Sequence, residues 1–104
     1  MITLSITYPN GEGSTFDWDY YTRTHLPMIG QRLAPFGLVM ASVLRGLEQP
    51  DGSGPAYVAQ CLLTFSDDQA AKNALASPGG MELRNDVPNY TNIRPVVQFN
   101  APID

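Results

Sequence analysis

Tyr57-Val58-Ala59-Gln60-Cys61-Leu62-Leu63-Thr64-Phe65 is the stretch that decides the fold. It holds no glycine or proline, and its apolar residues follow a period of two. Tyr57, Ala59, Cys61, Leu63 and Phe65 face one way, while Val58 and Leu62 face the other. A strand apolar on both faces is buried on both. Whatever sheet contains it needs two covers.

Upstream, Gln49-Pro50-Asp51-Gly52-Ser53-Gly54-Pro55 is a strong turn signal. Before it, Leu38 to Glu48 reads as a Val- and Leu-rich strand, so the two runs are predicted to pair as an antiparallel hairpin with a loose tip. At the start of the chain Ile2, Leu4, Ile6 and Tyr8 alternate with Thr3, Ser5 and Thr7, a strand with one apolar face that ends at the turn cluster Pro9 to Ser14. At the other end Tyr90 to Phe99 is predicted as the last strand, with Pro95 arguing for an edge or a bulge.

Helices fill the gaps. Asp17 is placed to cap a helix, Asp19 lies in its first turn, and Phe16 and Tyr21 have the spacing of a hydrophobic staple. Trp18, Tyr21, His25, Ile29 and Leu33 then share one stripe, and Pro35 and Gly37 stop it. Pro27 has no N–H for the carbonyl of Arg23 and disfavours helix at Leu26, which predicts a kink or two pieces beside His25. Ser66 with Gln69 has capping-box spacing. The Ala-rich run to Ser77 is the second helix, halted by Pro78-Gly79-Gly80, and Met81 to Asp86 forms a further turn.

The order strand–helix–strand–strand–helix–strand predicts an α+β, ferredoxin-like βαββαβ fold over residues 1–104, one domain with a four-stranded antiparallel sheet and both helices on one face. The other face of the two-sided strand then needs a second subunit. Charge supports this. Only 15% of the residues are charged, against about 25% in ordinary soluble domains. A homodimer is therefore expected.

Composition excludes several classes. The net charge is -4, and the six basic residues are scattered, so the basic face that nucleic acid requires is missing. No apolar run approaches the roughly 20 residues that span a bilayer. The N-terminal residues carry no basic and apolar leader pattern, and the single Cys61 permits no intrachain disulfide; a cytoplasmic location is expected. One His and one Cys without close spacing do not make a metal site. No Gly-rich segment joins a strand to a helix for a nucleotide. No cofactor is expected.

Phe16-Asp17-x-x-Tyr20-Tyr21-x-x-x-His25-x-Pro27, together with Asp86-x-Pro88-Asn89-Tyr90-Thr91, resembles the EthD-like proteins, a family named for a component needed in bacterial ethyl tert-butyl ether breakdown. The resemblance runs from Tyr8-Pro9 to Gln98. It implies membership of the dimeric α+β barrel superfamily, in which two ferredoxin-like subunits face each other through their sheets. It also implies a loose tie to oxidative catabolism.

His25 is the only histidine and the only side chain that titrates near neutrality at its ordinary pKa. It reads as a general acid/base or a donor to a carbonyl-bearing ligand, or else as a core histidine satisfied by a backbone carbonyl. Asp86 matches the family's aspartate; the resemblance implies that it orients His25, and the plain alternative is a cap before Val87-Pro88. Tyr21, one turn before His25, is the favoured pocket residue, with Tyr90 and Gln98 as further ligand-binding candidates. Two functions follow. One is a cofactor-free enzyme acting on a small, mostly apolar, oxygen-bearing molecule, as an oxidoreductase, isomerase or decarboxylase. The other is an accessory protein that binds such a molecule for an oxygenase system. A barrel with no ligand is the third possibility. A cavity touching His25 between helices and sheet separates the first two from the third.

Overall fold

A computed structural model describes residues 1–103. Strand β1 spans Ile2–Pro9, β2 Leu38–Arg45, β3 Tyr57–Phe65 and β4 Val96–Asn100. They form one antiparallel sheet in the order β2-β3-β1-β4. Helices α1 (Trp18–Tyr20), α2 (Leu26–Leu33), α3 (Asp68–Ala76) and α4 (Pro78–Asp86) pack on one face. The core between them holds Leu4, Ile29, Leu33, Leu63, Phe65 and Leu83. The two parities of β3 divide as expected. Ala59, Cys61, Leu63 and Phe65 are buried under the helices, whereas Val58 and Leu62 on the opposite face are only half-buried. Burial pushes the Cys61 thiol up to about 11, so it is a packing residue rather than a thiolate nucleophile.

Several local expectations are corrected. β4 begins at Val96, after Pro95, instead of at Tyr90. The preceding segment is tied elsewhere: Thr91 bridges Phe16, and the Asn92 side chain accepts from Thr15 N and donates to Gly13 O. β4 is an edge strand, as Pro95 suggested. The cap of α3 is Asp67, whose carboxylate accepts from Ala70 N at 2.7 Å; Ser66 is not the cap. Ser77-Pro78-Gly79-Gly80 ends α3 but also starts α4. Ser77 accepts from Gly80 N, and Pro78 occupies the first turn, where no N–H is needed. Gly80 is required there, because a Cβ would lie 2.5 Å from Ala74 O and 2.6 Å from Leu75 O.

Of the two outcomes expected from Pro27, a kink or a helix in pieces, the second is found, with His25 at the junction. Leu26 stays helical at φ -62° and ψ -45°. The adjustment falls one residue earlier, where Tyr21–His25 forms a π-helical turn and Leu26 N donates to Tyr21 O. One extra residue in the turn removes the need for the missing proline N–H. Tyr21, His25, Ile29 and Leu33 all remain buried on one stripe.

Candidate functional site

The π-turn delivers His25 into the space between α2, α4 and the sheet. The imidazole is 4% exposed. Its Nδ1 lies 2.8 Å from Asp86 Oδ2. Asp86 is the last residue of α4, buried where the helix passes into the Val87–Asn89 turn. Its other oxygen accepts from Tyr20 Oη at 2.6 Å and from Asn89 Nδ2 at 3.0 Å. Burial opposes ionisation of this carboxyl, but the bonds from Tyr20, Asn89 and His25 outweigh it and hold its pKa below the ordinary carboxylate range.

An ionised carboxylate only accepts, so His25 Nδ1 carries the proton and Nε2 keeps its lone pair. Burial lowers the pKa of His25 below 6.5, against the pull of Asp86. The imidazole is therefore neutral at pH 7, with its acceptor atom turned away from the carboxylate. Tyr90 Oη lies 3.4 Å from Nε2, a long contact, and 2.7 Å from Tyr8 Oη. One chain of polar groups thus runs Tyr20–Asp86–His25–Tyr90–Tyr8. Burial pushes the Tyr8 phenol up to about 12 and raises that of Tyr90 further, so both stay protonated donors.

His25 and Tyr8, both buried, line a cavity of about 220 Å³. Apart from Arg84 its other walls are apolar and include Ile6, Ile29, Leu63 and Leu83. An engineered apolar cavity of roughly 150 Å³ accepts benzene, so this one has room for a somewhat larger molecule. The residues singled out from the sequence divide around it. His25 and Asp86 meet as a bonded pair. Tyr90 and Tyr21 stand behind the wall: Tyr90 in the polar chain, Tyr21 stacked on His25 with centroids 5.5 Å apart. The Tyr21 hydroxyl is buried and has no hydrogen-bond partner.

Gln98 is not brought to the site. Its neighbour Val97 pairs with Ile6 and lines the cavity, so strand alternation turns Gln98 to the open face, beside Asn100. Tyr8 was legible only as a strand residue; its place at the end of the apolar run Leu4, Ile6, Tyr8 was the available signal. Among the described residues no three potential metal ligands cluster, and no helix is long and apolar enough to cross a membrane.

A ferredoxin-like α+β protein with a largely apolar cavity lined in part by a carboxylate-held histidine is the class that this fold and site define. No protein-family model and no curated protein matches the chain; the likeness lies with solved structures. An EthD-like protein from Ralstonia eutropha JMP134 is 34% identical over 95% of this chain and 88% of its own, with a TM-score of 0.85. The chain belongs to the EthD-like family. An ethyl tert-butyl ether (EthD) family protein from Bacillus halodurans C-125 shares the fold at 20% identity, 99% coverage of each chain and a TM-score of 0.78. A dimeric ferredoxin-like protein from Jannaschia sp. CCS1 shares it at 17% identity, 97% coverage of each chain and a TM-score of 0.67.

Proposed function

We propose that the protein takes a small, largely apolar, oxygen-bearing molecule into this cavity and that His25 moves a proton on it. The carrying observation is that His25, its Nδ1 fixed by Asp86, and Tyr8, its hydroxyl bonded to that of Tyr90, both line the cavity. Nε2 takes a proton from a ligand hydroxyl or an acidic C–H. The electron pair left behind becomes an oxyanion or enolate, and the Tyr8 O–H donates to that oxygen. Return of the proton to a different atom would isomerise the ligand. The same geometry serves an accessory protein that holds the molecule for an oxygenase, with His25 accepting a hydroxyl proton in a hydrogen bond. Phenol is the simplest probe. At millimolar concentration it should shift the NMR resonances of Ile6, Ile29, Leu63 and Leu83, and those of the open-face residues Ser42 and Gln98 should stay still. Unmoved cavity resonances would contradict the reading.

We propose also that two copies pack through the open face of the sheet. Met40, Leu44, Val58, Leu62 and Val96 lie there between serines, threonines and amides, and none of the strand residues on that face is charged. Met40 is 59% and Leu44 50% exposed in the single chain. Depletion of charge marks the core of an interface. The Jannaschia neighbour, described as dimeric, agrees with this. Burial should reach at least about 2,000 Å² in total. Light scattering at micromolar concentration is expected to give twice the chain mass, and a monomer there would overturn the assignment.

A further inference from the structure

The cavity adjoins a second, more open groove, and two arginines line that groove. Arg84, Val87, Pro95 and Val97 line both the cavity and the groove, and the groove also contains Arg94. No carboxylate lines either space, although the chain has ten acidic residues against six basic ones.

The basic residues are otherwise engaged. Arg32 pairs with Glu82 at 2.8 Å and Lys72 with Asp68 at 3.1 Å. Arg45 sits 5.0 Å over the Trp18 ring. Among the described residues only Arg23, Arg84 and Arg94 lack such a partner, and two of these three line the one groove. Arg84 is also held in place: its Nη1 donates to Leu75 O at 2.7 Å, in the last turn of α3. Its other N–H groups are left for a ligand, at little cost in ordering.

We propose that the cavity's ligand is an anion, a small carboxylic acid with an apolar body and a hydroxyl or carbonyl oxygen at its far end. The carboxylate rests between Arg84 and Arg94 in the groove, the body lies against the apolar walls, and the far oxygen meets His25 and Tyr8. This rests on the cavity being a ligand site and adds the charge of what it takes. In a protein of net charge -4, long-range electrostatics repel such a molecule, so these two guanidinium groups have to supply the preference locally.

The test compares 4-hydroxybenzoate with 4-hydroxybenzamide by isothermal titration calorimetry at pH 7 and low salt, using the full chain. The acid should bind roughly tenfold more tightly, and added salt should erode the difference, because both arginines are exposed. Arg84→Gln should remove most of that preference, so that acid and amide bind the variant with similar affinity. Arg94→Gln serves as the second variant, since no hydrogen bond or ion pair of its side chain supports the fold among the described residues. Equal binding of acid and amide by the wild type, or a preference that survives in the double variant, overturns the anion assignment and leaves the cavity reading standing. Failure of both compounds to bind at millimolar concentration overturns both.

Discussion

Replacing Asp86 with alanine is expected to cost the fold about 1–3 kcal/mol, the penalty of leaving a buried donor without its partner. The carboxylate is 8% exposed and accepts from Tyr20, Asn89 and His25 at once. Alanine would leave the buried His25 N–H without its acceptor, whereas the half-buried Tyr20 and the exposed Asn89 can turn to water. Chemical denaturation at fixed protein concentration reads the loss; a change below about 1 kcal/mol, the scale of one ordinary hydrogen bond, would show that the network is not built as described. The same pair governs acid sensitivity. The folded pKa of His25 lies below its ordinary value, so its contribution is complete above pH 6.5 and is lost as pH falls through the folded value. Asp86 behaves likewise: its contribution is complete above about 3.9 and disappears as pH falls through its own depressed pKa. Stability should therefore decline in acid in two stages, and His25→Gln should abolish the first.

The second large effect falls on chemistry. His25→Ala is expected to slow proton exchange at the acetyl methyl of 4-acetylbenzoate, whose carbonyl lies at the opposite end from its carboxylate, by roughly a hundred- to ten-thousand-fold, the usual contribution of a positioned acid or base. Deuterium uptake measures it. A variant as fast as the wild type would remove His25 from the reaction. Tolerance of that replacement by the fold would ordinarily distinguish a functional His25 from a core one. The structure makes that distinction unusable, because alanine also leaves Asp86 Oδ2 without its donor and empties part of a buried site. Asp86→Asn separates the roles better. It keeps the shape but presents an amide N–H where His25 finds an acceptor, so the imidazole moves its proton to Nε2. Folding would largely survive while the base at the cavity disappears.

The layered architecture was legible because strand alternation and helical spacing are strong periodic signals. β1 and β3 show their buried parities directly in Leu4, Tyr8, Ala59 and Leu63. The errors came where one local residue admits two roles. Pro78 with Gly79 and Gly80 stops one helix and starts the next, and Ser66 and Asp67 both suit a cap. The pairing of His25 with Asp86 came through the family motif; 61 positions separate the two in sequence, and no local pattern joins them. Tyr8 and Arg84 were invisible as site residues. Their roles depend on which element lies opposite, and that is set by the register of β1 against β4 and by the crossing of α3 with α4.

In the proposed site His25 is neutral, its Nδ1 held by Asp86 and its Nε2 an acceptor with only the long 3.4 Å contact from Tyr90. With one histidine in the chain, ¹⁵N labelling of histidine reports on that residue alone. The spectrum at pH 7 should show a protonated Nδ1 and an unprotonated Nε2, a titration midpoint below 6.5, and a shift of the Nε2 resonance when phenol is added. A proton on Nε2 at pH 7, a midpoint at or above 6.5, or an Nε2 resonance indifferent to phenol would contradict the account.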